Sequence, residues 1–449
     1  MKPLFISLGL LSLGPAALAQ TPTPAVPAPT TEAAPKVPTL TLHDALQTAL
    51  KNSLDIQISQ NNVEVQSLQN TLGFAGGLPS VALSGSNNVV VNNTRQEFNT
   101  GDPRQATGAR STQYAGGLAG SYLLYNGGYV VANRKRLDEL QKISELQLNS
   151  TVQNILADAS LKYYAVVQQQ RYIRTLEASV EVSRQKLRLI EARQSVGLAN
   201  NADRFQAQLD LNAQLQTQKQ QALAAEQAKA DLLRALTLDL NTPIALEDTI
   251  PVDRNLRWAD LETSLQRNPA LLAAERQVQV NELLVRVAQA NRYPALGLNA
   301  GANFARSQNA VGTTLFNQSY GPYAGLGISL PIYTGGVNKR LVDVARVNTK
   351  TAELQSLALQ KNYQLNARKA WEAYEQTLVL VDNAEQNYTT ARQLLKLIQM
   401  RLDAGLSTLV DVRIAQQSFE DAGYRLVNYR YNAKSAEITL RQLAALLTP

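Results

Sequence analysis

Apolar residues follow two rhythms along this chain. Leu296, Leu298, Ala300, Ala302 and Phe304 alternate with Gly297, Asn299, Gly301, Asn303 and Ala305. That is the period of two of a β-strand with one apolar face and one small or polar face. Ala324, Leu326, Ile328, Leu330 and Ile332 repeat the alternation, and Val81, Leu83, Val89 and Val91, then Leu118, Gly120, Tyr122 and Leu124, do so less cleanly. From about Tyr129 to Ser195, and from Val337 to Ala404, the apolar step changes to three and four with no internal Gly or Pro. Each stretch predicts one helix about 100 Å long at about 1.5 Å per residue. The stripe runs through Ile173, Leu176, Val180, Leu187 and Ile190 in the first. In the second it runs through Tyr374, Leu378, Val381, Ala384, Tyr388, Ala391, Leu395, Ile398 and Leu402. It is as narrow as a coiled-coil seam.

These elements occur twice. Asp44 and Asn52 match Asp260 and Asn268 at a shift of 216, and Leu78-Pro79 matches Tyr293-Pro294 at 215. Tyr-Asn-Gly127-Gly128 matches Tyr-Thr-Gly335-Gly336 at 208, as Ser195-Val-Gly197-Leu198 through Asp203 matches Asp403-Ala-Gly405-Leu406 through Asp411. The chain is a duplication, with a first repeat over 40–255 (strand pair about 80–125) and a second over 256–449 (strand pair about 294–333). Pro79 and Pro294 close the helix before each strand pair. The glycine pairs supply the backbone angles needed to turn from strand into long helix.

Ahead of the repeats, residues 1–19 combine Lys2, an apolar run from Leu4 to Leu13 and Ala17-Leu18-Ala19, the pattern of a cleaved secretory signal peptide. Residues 20–39 form a Pro-rich tether holding six of the 17 prolines. The chain has no cysteine, which removes disulfides, thiolate metal sites and the acylated Cys of a lipoprotein. No stretch after the signal reaches the roughly 18 to 20 apolar residues of a membrane-spanning helix. Entry into a membrane must therefore be as closed β-structure. The net charge of +7 is scattered among acids on helical faces rather than massed, which with secretion argues against a nucleic-acid partner. His43, the only histidine, has no placed partner for a triad or metal site. Trp258 and Trp371 stand at otherwise apolar helical positions and read as packing residues. With no phosphate loop, metal-ligand spacing or nucleophile elbow, the sequence predicts no enzyme and no cofactor.

Strand alternation alone fits a sandwich core as well as a membrane wall. Eight tyrosines (114, 122, 125, 129, 293, 320, 323, 333) in or beside the strands suit an aromatic girdle, and helices this long cannot fold back into a compact domain. Four strands are too few to close a barrel, so subunits must share one.

In this order and duplication the motifs resemble the TolC family of trimeric outer-membrane efflux channels over about residues 40 to 447. The resemblance implies a mainly α fold with a membrane β-barrel part. The duplicated four-strand, long-helix protomer would form a homotrimer with a 12-stranded β-barrel continued by an α-helical barrel across the periplasm. It further implies an exit duct in the cell outer membrane, in contact with its lipid, serving a tripartite efflux or type I secretion system. An inner-membrane pump and a periplasmic adaptor would be its partners, the adaptor meeting the tip turns Gly197-Leu198 and Gly405-Leu406-Ser407. By the same resemblance Asp411 belongs to a cation-attracting ring at the periplasmic gate, and Asp203 to a polar network that holds it shut. The alternative for both is a helix cap, an acid in the first turn on orphan amides. Ile414 stands where a second acid doubles that ring in the best-known members, and Leu402 and Ser407 replace a Tyr and an Arg of their latch. Arg204 and Arg413 are candidates to pair across neighbouring turns. A periplasmic coiled-coil adaptor is the alternative function: it shares long hairpins but needs no amphipathic strand pairs.

Overall fold

The computed structural model describes residues 39–97, 99–247, 249–312 and 314–448. The signal peptide and the tether up to residue 38 lie outside the described residues. The first repeat runs β1 (Thr39–Leu40), α1 (Leu42–Asn52), α2 (Leu54–Gln69), β2 (Ser80–Gln96), β3 (Arg104–Asn126), α3 (Tyr129–Ser195) and α4 (Asn201–Ala235). β4 (Ala245–Leu246) closes the first repeat, and the second runs α5 (Trp258–Leu265), α6 (Pro269–Ala290), β5 (Ala295–Asn309), β6 (Phe316–Ser329), α7 (Val337–Asp403) and α8 (Leu409–Leu443). Both long helices have 67 residues and both returning helices 35.

The helix that sequence places before each strand pair is two helices. Ser53 caps α2 by accepting from Ile56 N–H, and Asn268 caps α6 with Pro269 in its first turn, so the backbone restarts at each. β6 ends at Ser329, short of the expected Tyr333, so Leu330 and Ile332 are not in the strand. Pro331 has no N–H to give a ladder. The two repeats thus leave their hairpins differently. Gly127 and Gly128 follow β3 directly, with φ of 63° and 83°, whereas Gly335 and Gly336, at 61° and 80°, follow a short non-strand connection.

Beyond the hairpins the helices lie side by side. In the half nearer the strands the lateral order is α2, α3, α6, α7; in the other half it is α4, α3, α8, α7. The predicted stripe of α7 is the side that packs: Val381, Ala384, Leu395 and Leu402 are buried, with Tyr388, Ala391 and Ile398 partly so. A belt of two apolar cores surrounds the middle of the long helices. One gathers Leu46, Leu156, Tyr163, Val167 and Leu232 around the parallel pair β1–β4. The other sets Leu261 and Leu440 against Trp371 and Tyr374, with Trp258 5.9 Å from Trp371. Exposed His43 shares a hydrogen bond with Gln47, across one helical turn.

Beside this belt, α4 and α8 end in left-handed residues that are not glycine, Thr237 and Ala445, both at φ 53°. Each occupies the position where a helix C-terminus normally uses glycine, with Leu238 N–H bonding Leu233 O and Leu446 N–H bonding Arg441 O. A side chain here costs about 1–2 kcal/mol, and glycine gives back part of that in unfolded-chain entropy. Ala445→Gly and Thr237→Gly are each expected to raise stability by about 0.5–1 kcal/mol. An unchanged or lowered thermal midpoint of the purified protein would contradict this.

Candidate functional site

Two regions carry the expected function: the sheet and the far tips of the helices. The four long strands form one antiparallel sheet in the order β2-β3-β5-β6, with β2 and β6 unpaired at its edges. Paired residues share a face. Leu83 opposes Leu118, Tyr122 opposes Leu298, Leu298 opposes Leu326 and Phe304 opposes Tyr320, so one face is apolar across all four strands. The other carries Ser84 with Gly117, Gly117 with Asn303, and Asn299 with Gly325. The apolar face is bare: Leu83 is 82% exposed, Tyr320 78% and Ile328 75%. No second layer covers it among the described residues, which removes the sandwich reading. Tyr323 departs from the girdle, because it pairs with Gly301 on the polar face. Gly127 is confined by packing as well as by its φ; a Cβ there would lie 2.6 Å from Ala290 O and 2.7 Å from Tyr293 Cβ.

At the tips the sequence builds two tight helical hairpins. Leu198 N–H bonds Arg193 O at 2.8 Å and Gly197 N–H bonds Gln194 O at 3.0 Å, while Leu406 and Gly405 do the same to Arg401 O and Leu402 O at 2.7 and 2.9 Å. Both glycines have φ 78°, which this closure requires. Three residues further each returning helix opens with a capping box. Asn200 accepts from Asp203 N–H at 2.8 Å and Thr408 from Asp411 N–H at 3.2 Å, while the Asp203 and Asp411 carboxylates accept from the cap residues' own N–H groups at 3.3 and 2.8 Å. The backbone N–H and the hydroxyl of Thr408, aided by Arg401, hold the Asp411 carboxyl below its usual range, so it stays ionised. Its contribution to the cap is present above the unfolded carboxylate value and lost only as pH falls through that depressed pKa. Ser407 donates to Ile398 O at 3.1 Å. Leu198 and Leu406, at the two apices, are 76% and 69% exposed.

Of the two expected arginines, Arg413 reaches Asp210 on α4 at 3.8 Å, whereas the Arg204 guanidinium lies over its own neighbour Phe205. The bonds that tie the hairpins together lie mostly elsewhere, at residues that periodicity does not single out. Arg193 at the end of α3 donates to the last carbonyls of α7, at Leu402 and Asp403. Within the α3–α4 hairpin, Lys186, almost wholly buried on α3, pairs with Asp210 at 2.6 Å, the carboxylate that Arg413 reaches from the other hairpin. Between α3 and α8, buried Gln416 donates to the hydroxyls of Ser179 and Ser183 at 2.6 and 2.9 Å. Glu420 accepts from Ser179 and from Gln214, and burial raises its pKa. No group of side chains suited to a metal is present among the described residues.

Known proteins share this plan. The family model for outer membrane efflux proteins matches residues 45–237 and 261–446, one segment in each half. The toluene efflux pump outer membrane protein TtgC of Pseudomonas putida is 23% identical over 427 residues, 89% of this chain and 81% of that protein. The pyoverdine export outer membrane protein OpmQ of Pseudomonas aeruginosa is 26% identical over 89% of this chain and 84% of its own length. The crystal structure of the Campylobacter jejuni CmeC outer membrane channel superposes with a TM-score of 0.74 at 19% identity, covering 90% of this chain and 85% of that one. The periplasmic adaptor reading finds no support in these matches, and the four-stranded sheet is an element it does not need. An apolar sheet without a covering layer, rods about 100 Å long leading away from it and a match spanning both repeats have one common source: the chain belongs to the outer membrane efflux protein family.

Proposed function

We propose that three copies of this chain close a 12-stranded barrel in the outer membrane and continue it as a helical duct through the periplasm, the exit channel of a tripartite efflux or type I secretion system. The observation that carries this reading is the four-stranded sheet, apolar on one face and unpaired at both edges. Lipid tolerates no open ladder, so β6 of one copy must pair with β2 of the next. The end helices have the same need. Exposed Leu54, Ile58, Val65 and Leu68 on α2 face outward at one end of the protomer, and Leu341, Val344, Val347 and Leu354 on α7 at the other. The charged side chains of α2 are Asp55 and Glu64, whereas the first turns of α7 are rich in Lys and Arg, so the α2–α7 junction is complementary in charge as well.

Conduction is passive, without a catalytic step; an inner-membrane pump supplies the energy, and an adaptor grips the tip through the exposed Leu198 and Leu406. In the trimer Asp411 performs both roles weighed for it. One carboxylate oxygen caps α8, and the ionised group adds to a ring of negative charge at the gate. Gating is resisted by Arg193, by the Lys186–Asp210–Arg413 pairs and by the capping of Asp203.

Extraction in detergent should yield a heat-modifiable trimer that conducts in planar bilayers, and Asp411→Ala should lower its cation preference while leaving the trimer intact. A water-soluble monomer would overturn the channel; an unchanged ion preference would reduce Asp411 to a helix cap.

A further inference from the structure

We propose that Arg110 and Arg306, on the apolar side of the sheet, hold the phosphates of an anionic lipid in the outer leaflet, an inference that rests on the channel reading.

The four strands carry four charged side chains, and all are arginine: Arg95, Arg104, Arg110 and Arg306. All stand in the half of the sheet away from the helices, toward the hairpin ends at 97–103 and 310–315. That end lies outermost when the long helices run into the periplasm. The ladder assigns each arginine a side. Arg110 keeps the alternation of Leu118 and Tyr122 on β3 and opposes Val91, while Arg306 continues Leu298 and Phe304 on β5 and opposes Tyr114. Both are on the apolar side. Arg104 opposes Gln96, an even position of β2 on the polar side like Ser84. Arg95 is paired with Glu97 at 3.0 Å.

Depth puts Arg306 at the margin of the membrane. From Leu296 to Phe304 the outward row covers about 27 Å of strand at about 3.4 Å per residue, or about 21 Å of depth at a tilt of about 40°, against an apolar band of about 25 Å in such barrels. The Arg306 guanidinium lies 5.2 Å over the Phe316 ring, and its buried Nε has no hydrogen-bond partner among the described residues. Arg110 is exposed, and its guanidinium likewise meets no acid or acceptor among the described residues. The two Cα atoms stand about 14 Å apart, four residues along at about 3.4 Å and one strand across at about 4.8 Å. Thr112 and Gln308, opposed on the same side, fill the interval.

The chemistry selects the occupant. Every polar side chain in this patch can donate a hydrogen bond and none is a carboxylate, while the row next to it faces hydrocarbon. A partner must bring anionic oxygens and apolar tails together. A phosphorylated lipid does so: guanidinium forks match phosphate oxygens, and acyl chains lie along Phe304 and Leu298. Two separated guanidinium groups favour a headgroup with two phosphates. A neighbouring copy is not the occupant, because β3 and β5 are the inner strands, and pairing β6 with the next β2 leaves the patch open to lipid.

The full-length trimer, extracted in detergent and reconstituted in phosphatidylcholine nanodiscs doped with diphosphoryl lipid A, gives the test, with retained lipid counted by native mass spectrometry. Arg110→Gln with Arg306→Gln should lower retention of that lipid about tenfold. Arg104→Gln, which loses the same charge at the same end but on the polar side, should leave it unchanged. On the unmodified chain, lipid A stripped of both phosphates should also be retained about tenfold less, a comparison that needs no variant. Excess inorganic phosphate, lacking acyl chains, should not displace the bound lipid. Retention indifferent to lipid phosphate or to the double substitution, an equal loss in Arg104→Gln, or displacement by inorganic phosphate would each overturn the proposal. Conductance of the same protein in planar bilayers reports the channel by itself, so a conducting trimer indifferent to lipid phosphate would remove the lipid site and leave the channel standing.

Discussion

Gly301→Val is expected to abolish assembly of the sheet, leaving no heat-modifiable oligomer in the outer membrane fraction, whereas Gly325→Val assembles as the unmodified chain does. The two glycines pair into the same polar face, yet their surroundings are opposite. A Cβ on Gly301 would overlap the carbonyl oxygen of Leu118 on β3 and lie 3.0 Å from the Tyr323 hydroxyl, while nothing lies within 4 Å of one on Gly325. Tyr323 can swing away, but Leu118 O is backbone, so a side chain at 301 must pry β5 from β3. That is the seam between the two hairpins, and no other contact in the sheet joins the repeats. Each ladder group left unpaired in lipid costs several kcal/mol. An oligomer of normal mobility from Gly301→Val would show that the seam tolerates what the backbone contact forbids.

The second large effect lies in the belt. Glu437 on α8 is 1% exposed and accepts from Asp253 N–H at 3.0 Å, Lys434 at 2.9 Å and Arg441 at 3.2 Å. Arg441 also reaches the Asp253 carboxylate at 2.7 Å, and the Tyr374 hydroxyl donates to Asp253 O. Together these clamp the connection between β4 and α5 onto α8. Glu437→Ala strands the half-buried Lys434 and the Asp253 amide and is expected to cost about 3–5 kcal/mol, whereas Glu437→Gln retains the acceptor and loses less. The same clamp shapes the alkaline limit. Burial, reinforced by Glu437, pushes Tyr164 and Tyr374 up to about 12. Groups raised in the folded state keep their protons where the unfolded chain has lost them. Stability should therefore hold up to about pH 10 and fall between there and about pH 12, and less steeply in Glu437→Ala. A melting midpoint that Glu437→Ala leaves in place would refute the clamp.

The sequence was informative wherever one residue type has one structural reason to be present. The glycine pairs, the two proline marks and the unbroken stripes located α3 to its end residues, Tyr129 and Ser195, and α7 to within a residue. Strand alternation separated the faces, with Tyr323 misassigned because a tyrosine opposite a glycine on the polar face has the same spacing as one in a girdle. The split of the first leading helix was hidden because Ser53 is also acceptable inside a helix, whereas Asn268-Pro269 in the second is a cap followed by a first-turn proline, a mark that the apolar period passes over. Most of the inter-hairpin bonds could not be read. Gln416 and Glu420 look like solvated surface when helices are considered one at a time, and become buried and half-buried only because α8 packs against α3; Lys186, paired within its own hairpin, is hidden in the same way by α4. Ser179 and Gln416 satisfy each other across 237 positions, a relation that no local period records.

The matched lengths of the hairpins, 67 and 35 residues in each repeat, place Gly197 and Gly405 at the same depth. Evolution of the duct's reach is thereby coupled between the halves. A heptad inserted into α3 and α4 alone would push half of the rim beyond the other half and slide Arg193 off the last carbonyls of α7, so a longer or shorter relative should carry its insertions or deletions in both hairpins at once.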